Sequence, residues 1–277
     1  MMKRLCITIA AVFLSVLSAS AQELDSLEFD RYRGLDSLLT QFYYTLERED
    51  PEVKGVEFDG LIETCKDSLT RQHVTLQIFD HYRYSRLMGD ETVAVHIFDN
   101  WLANGRVKTR SEFEMMDAEL FANFNRESLI GMDAPRIELF KPCGGRKAIP
   151  SEGRISVLFF YDTSCGKCRL ETQVLPTIVK EVDFPFDFYA IYVGTDRREW
   201  NAFRRNFRLK NKNIRLIHLW DPEIDSGYQK AYGVTGTPRL FVVEPDGVII
   251  GRRLEMTNLM EMFPVLRAVW ETYEKYK

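Results

Sequence analysis

The 277-residue chain carries 37 Lys and Arg against 41 Asp and Glu, a formal charge of −4, and 45% of its residues are hydrophobic. A mildly acidic chain of mixed charge has no electrostatic footprint for nucleic acid. Five cysteines in so long a chain are too few for a disulfide-stabilised scaffold, so its core must come from apolar burial.

The chain opens Met1-Met2-Lys3-Arg4, continues through the apolar stretch Leu5–Leu17, and reaches Ser18-Ala19-Ser20-Ala21-Gln22. A basic start, a short apolar run and a small-x-small ending predict a secretory signal peptide over 1–21, cut after Ala21. The apolar run falls short of the roughly 20 residues that a membrane span needs. Cutting there removes Lys3, Arg4 and Cys6 and moves the formal charge from −4 to −6. The new first residue, Gln22, offers no thiol for a lipid anchor, and no later stretch is apolar enough to cross a membrane. Export places the remaining cysteines, Cys65, Cys143, Cys165 and Cys168, where disulfides persist.

Residues 22–130 read as a small helical domain of four or five helices with short links. Leu35, Leu38, Leu39, Phe42 and Leu46 recur at helical spacing, ending before Pro51. Further helices are predicted over Phe58–Leu69 and over Val74–Leu87, the latter stopped at Gly89. Asp90 is placed to cap a fourth, with Val93, Ile97 and Trp101 on one stripe and Gly105 as its stop. Ser111-Glu112-Phe113-Glu114 is a capping box, opening a helix with Phe113, Met116, Leu120 and Phe124 on one face. The aromatic residues Tyr43, Tyr44, Tyr82, Tyr84, Phe98 and Trp101 read as core packing, a peptide-binding groove being the functional alternative. Cys65 reads as a small buried hydrophobe. His73, His81 and His96 read as surface or satisfied side chains.

Gly131-Met132-Asp133-Ala134-Pro135 breaks the helical pattern and marks a boundary, after which strands alternate with helices through 131–277. Strands are predicted over Arg136–Phe140 and near Ala148, with a turn at Pro142-Cys143-Gly144-Gly145 between them. Cys143 on that turn is expected to be exposed, either unpaired or joined to Cys65. Val157–Tyr161 is a strand buried on both faces. Further strands are predicted over Phe186–Val193 and Arg215–Leu219, and helices over Arg198–Phe207 and Ser226–Tyr232. Arg239–Glu244 and Val248–Arg253 flank a Pro245-Asp246-Gly247 hairpin turn. A last helix spans Asn258–Tyr276, with Pro264 inside it.

The chemistry lies directly after the buried strand. Asp162, Thr163 and Ser164 are turn and capping residues, and Cys165-Gly166-Lys167-Cys168 opens a helix predicted to reach Val182. Cys165 then meets the unpaired N–H groups and positive dipole end of the first turn, which favour a thiolate. Cys168, one turn on, is placed to resolve a mixed disulfide. A zinc site would need a second pair of ligands at similar spacing, which the remaining cysteines and the four histidines do not supply. A purely structural disulfide is the other alternative. Gly233-Val234-Thr235-Gly236-Thr237-Pro238, ahead of the hairpin, suits a cis proline entering a strand.

From about Ile130 onward the chain resembles the thioredoxin fold, in its exported TlpA/ResA-like thiol-disulfide oxidoreductase branch. The features that carry this are Cys165-Gly166-Lys167-Cys168 after a buried strand, Glu171 three residues on, Thr237-Pro238, and the Asp246-Gly247 hairpin. The resemblance implies an α/β thioredoxin-like fold preceded by the helical domain, and a periplasmic location. It makes Pro238 a cis proline beside the dithiol, with the Thr237 backbone pairing an extended stretch of the partner. Gly166, Lys167 and Thr237 become substrate-contacting positions, and Glu171 a residue for proton handling or recognition. Implied partners are protein or small thiol and disulfide substrates and a membrane-bound electron donor, with no cofactor beyond the redox-active Cys165–Cys168 disulfide.

Departures from the family are Ser164 where Trp is common, Phe159 where cytosolic members bury an Asp, and Gln173 where Pro is common. Deprotonation of Cys168 then falls to water, Glu171 or Asp162. Lys167 adds positive charge near the Cys165 thiolate, which makes the pair more oxidising. Two other readings are a redox-responsive interaction protein whose helical half binds a partner, and a thiol peroxidase. The latter wants Thr three residues before the reactive cysteine, where Asp162 stands.

Overall fold

The computed structural model describes residues 32–277. The expected signal peptide, with its cut after Ala21 and Cys6, lies outside the described residues. The chain divides after Asp50 into two units. The first contributes helix α1 (32–46), on which Tyr32, Leu39 and Leu46 are the buried positions. The elements that follow belong to the second unit, Pro51–Lys277.

That unit begins with helices α2 (Pro51–Thr64), α3 (Ser68–Arg83), α4 (Glu91–Ile97) and α5 (Glu112–Asn125). The helix expected over Phe58–Leu69 is in fact the end of α2 and the start of α3. Asp67 breaks it by accepting the Thr70 N–H (2.9 Å), and Arg71 closes the end of α2 on the Cys65 carbonyl (2.7 Å). Asp90 does not cap α4: its own backbone is helical and its side chain makes no cap. Its carboxylate instead pairs with Lys54 Nζ (2.9 Å) and accepts from Ser85 Oγ (2.6 Å), with Lys54 and Asp90 both buried. An internal ion pair overrode a local cap. After Ile97 the helix widens into a π turn over Phe98–Leu102, and Trp101 Nε1 donates to Asp59 Oδ1 (2.6 Å). Asp59 also holds His96 (2.9 Å), so that histidine is satisfied.

On α5, Ser111 accepts the Glu114 N–H as expected (3.1 Å), but Glu114 reaches back to Arg110 N instead of closing the box on Ser111. The apolar stripe Phe113, Met116 and Leu120 is exposed, and the buried face is Ala118, Ala122 and Asn125. Small residues let the helix approach the remainder of the fold closely: a Cβ on Gly233 would stand 2.2 Å from the Phe124 carbonyl oxygen. Two aromatics expected in the core, Tyr44 and Tyr84, are exposed. Tyr84 lies under the Arg83 guanidinium (4.6 Å). Cys65 is half-buried, its thiol pushed up by burial, and Cys143 is exposed; both are free.

The sheet contains β1 (Ile137–Phe140), β2 (Arg146–Ile149), β3 (Ile155–Tyr161), β4 (Phe186–Tyr192), β5 (Ile214–Trp220), β6 (Arg239–Val243) and β7 (Ile249–Arg252). Their order is β2-β1-β5-β4-β3-β6-β7, with β3, β4 and β5 parallel and the flanking strands antiparallel. All residues of β3 and β4 are buried, because both faces are covered. Val157, Phe159 and Tyr161 face α6 (Gly166–Ile178), α7 (Arg197–Asn206) and α9 (Met256–Tyr276). Leu158 and Phe160 pack on the other face with α8 (Tyr228–Tyr232). The helix α6 ends at Ile178, short of the expected Val182, with Pro176 in its last turn.

The segment expected to separate two domains runs along β7: Gly131 N donates to Ile249 O (2.8 Å), Ile249 N to Met132 O (2.9 Å) and Ala134 N to Gly247 O (2.8 Å). Buried charges tie the helices to the sheet. Glu91 of α4 meets Arg252 of β7 at 2.8 Å, both 1% exposed, and Asn125 Oδ1 accepts from Arg252 (2.9 Å) and Arg253 (3.0 Å). Among the described residues no helix is long and apolar enough to cross a membrane.

Candidate active site

Strand β3 delivers the chain to the carboxyl end of the parallel strands, where open α/β sheets place their ligand sites. The turn after it is self-braced: Asp162 Oδ1 accepts from Ser164 N (2.7 Å) and Ser164 Oγ (2.6 Å). Arg169, on α6, donates to the Thr163 carbonyl (3.2 Å). Cys165 is the N-cap of α6, in extended conformation, and its Sγ accepts the Cys168 N–H (3.1 Å). The first turn of α6 holds no acidic residue to offset the positive end of its dipole.

Cys165 and Cys168 are joined in a disulfide, with Cα atoms 5.2 Å apart. Cys165 is half-buried and Cys168 only 2% exposed, so an incoming group reaches Cys165 first. The Thr237–Pro238 peptide bond is cis, and the Thr237 carbonyl oxygen lies 3.5 Å from Cys165 Sγ. A groove of about 530 Å³ runs beside this loop, lined by Ser164, Thr237 and Phe124 of α5 among others.

Two other expected site residues are engaged elsewhere. Lys167 Nζ pairs with Glu255 Oε1 (2.5 Å), both about half exposed, so its charge is shared and does not act on Cys165 alone. Glu171 Oε2 accepts the Met256 N–H (2.8 Å), supplying the unpaired first turn of α9 and fastening α6 to it. Gly166 is exposed at the first position of α6.

Sequence reasoning missed the support behind the turn. A Cβ on Gly194 would come within 2.4 Å of the Tyr192 hydroxyl and 2.7 Å of Asp162 Oδ2, so only glycine fits there. Trp220 Nε1 fixes the same residue through its carbonyl (2.7 Å). Thr163 donates to Glu199 of α7, whose helix is capped by Asp196. The available signal was Gly194-Thr195-Asp196 at the carboxyl end of a parallel strand.

Comparison with known proteins agrees with this architecture. Residues 153–249 match the family model described as thioredoxin-like. No protein of curated function matches the chain. Among solved structures, a thioredoxin-like protein from Bacteroides caccae is 14% identical with a TM-score of 0.63, covering 83% of each chain. A domain of a possible thiol-disulfide isomerase from Cytophaga hutchinsonii is 24% identical (TM-score 0.44), covering 52% of this chain and 97% of its own. The thioredoxin domain of a thiol-disulfide oxidoreductase from Bacteroides vulgatus is 22% identical (TM-score 0.40), covering 48% and 96%. The β3–β7 region is thus a thioredoxin-like domain, and several helices precede it in the chain.

Proposed function

We propose that the chain is a thiol–disulfide oxidoreductase whose working group is the Cys165–Cys168 pair, with no further cofactor. The observation that carries this reading is the placement of Cys165 Sγ at the N-terminus of α6, accepting the Cys168 N–H, bonded to Cys168 and facing the Thr237 carbonyl. In the reduced protein the same N–H and helix end stabilise a Cys165 thiolate. That thiolate attacks one sulfur of a substrate disulfide, forming a mixed disulfide and expelling the other half as a thiolate. Cys168, after losing its proton, attacks Cys165 Sγ, expels the second half and leaves the protein oxidised. Two electrons pass to the substrate.

In this reading Thr237 offers its backbone to an extended partner segment, Pro238 holds that loop beside the sulfurs, and Gly166 and Lys167 border the bound partner. Glu171, one turn beyond Cys168 on α6, takes the Cys168 proton. The substrates are disulfides of exported proteins or small thiols, the direction is reduction, the compartment is the periplasm, and a membrane-bound donor restores the dithiol. The test is turnover of oxidised glutathione and of a peptide disulfide by purified protein, with dithiothreitol as reductant. Cys165→Ser should be inactive, and Cys168→Ser should accumulate the mixed disulfide, visible by mass spectrometry. Equal turnover by wild type and Cys165→Ser would refute the assignment.

A further inference from the structure

A groove of about 790 Å³ opens at Lys167, the residue between Gly166 and Cys168, and runs between the link joining α3 to α4 and the first turns of α9. The α3–α4 link and α9, both outside the matched thioredoxin-like region, therefore wall a channel that reaches Lys167, which stands between the two cysteines in the chain. Resting on the oxidoreductase reading above, we propose that this groove docks an extended apolar segment, carrying a carboxylate, of the partner protein whose disulfide Cys165 attacks.

The wall is preorganised. Ser85 Oγ donates to Asp90 Oδ2 (2.6 Å), itself locked to buried Lys54, and Leu87 N donates back to Ser85 Oγ (3.1 Å). A link fixed in this way nevertheless holds Leu87 and Met88 out to solvent at 50% and 45% exposure, and Val265 of α9 lies exposed across the groove. A braced link that presents apolar side chains binds an apolar segment with little backbone ordering entropy to lose, and methionine adapts to varied shapes.

The charges set the sign of the occupant. The ionic lining is Arg86, Lys167, Arg252 and Arg253 against Glu255 and Glu261, on a chain whose overall charge is −4. Lys167 is matched by Glu255. Glu91 is a single carboxylate shared by two guanidiniums, Arg252 at 2.8 Å and Arg253 at 3.8 Å, so that cluster stays cationic. Arg253 is held at a left-handed φ of 55° with its side chain 31% exposed beside the groove. Summed over the lining and Glu91, four cations stand against three carboxylates, which leaves one net positive charge for a carboxylate of the partner.

The test uses the full chain and two synthetic peptides with the same internal disulfide. One continues with Leu-Glu-Met-Leu, the other with Ser-Lys-Ser-Ser, and oxidised glutathione serves as a third substrate. We expect the first peptide to have a KM about tenfold below that of the second. In Arg86→Glu and Leu87→Asp, on exposed link positions, that ratio should collapse towards one. Circular dichroism and melting would verify that each variant folds. Equal KM values in wild type, or a ratio that survives both substitutions, overturns the groove assignment. A sedimentation change in Leu87→Asp showing loss of a dimer would assign the groove to a second copy and likewise overturn it. If wild type turns over neither peptide nor oxidised glutathione, the oxidoreductase reading itself has failed.

Discussion

Replacing Glu91 with Leu tests whether the helices α2–α5 and the sheet stand or fall together. Glu91 and Arg252 are each 1% exposed and meet at 2.8 Å, with the Arg252 guanidinium otherwise held by Asn125 Oδ1 at 2.9 Å. Burial already lowers the Arg252 pKa from the usual arginine range to about 10, even with Glu91 opposing the shift. At about 1.4 kcal/mol per pKa unit, that is roughly 3 kcal/mol against the charged form with its partner present. Removing the partner leaves an uncompensated buried cation, and Glu91→Leu should destabilise the protein by about 3–5 kcal/mol. Adding Arg252→Met should recover most of the loss, because the pair then becomes apolar packing. Urea unfolding followed by far-ultraviolet circular dichroism and tryptophan fluorescence measures both, and the two probes should coincide in a single transition. A loss under about 1 kcal/mol for Glu91→Leu, or separate transitions for helices and sheet, would refute the reasoning. The same argument bears on the interaction-protein reading: deleting 24–128 would strip Arg252 of both partners, so that deletion alone could not separate binding from folding.

Other outcomes follow from individual side chains. His218 is packed edge-on to Phe203 and Phe207, and burial lowers its pKa from 6.5 to about 4. The unfolded chain therefore binds a proton between these values that the native state refuses, so stability falls as pH drops through this window. The loss should reach about 2 kcal/mol at pH 5 and be absent in His218→Leu; parallel pH dependences of the two proteins would refute it. Gly233 has φ +62° and faces the Phe124 carbonyl, so Gly233→Ala should lose about 2–3 kcal/mol, and a melting temperature matching wild type would contradict that close approach. Glu171→Gln should lower kcat/KM for a peptide disulfide about tenfold or more, with folding and melting unchanged. A kcat/KM equal to that of wild type would leave Glu171 as the tie between α6 and α9 only, since glutamine can still accept the Met256 N–H.

Local pattern was enough for the strand β3, the turn at Asp162–Ser164, the helix start at Cys165 and the Asp246-Gly247 hairpin. Each depends on residues within a few positions of one another: an apolar run too dense for a half-exposed strand, side chains that cap their own turn, a glycine that takes φ +103°. Helix boundaries in the first half read less well. Asp90 suits a cap by type, but a lysine 36 positions earlier in the chain claimed its carboxylate. Phe113, Met116 and Leu120 have the spacing of a core stripe, yet α5 buries its alanines because Gly233 allows its backbone so near.

By itself, the amino-acid sequence determined which atoms can do the chemistry and where in the chain a thiol meets a helix end, since both are short-range properties. Only the tertiary structure decided that Lys167 shares its charge with Glu255, that Glu171 fastens a second helix, and that Gly194 makes room behind the turn. It alone brought the α3–α4 link beside Lys167 to wall a groove. These are contacts between residues far apart in the chain, set by how the layers pack, and no local periodicity encodes them.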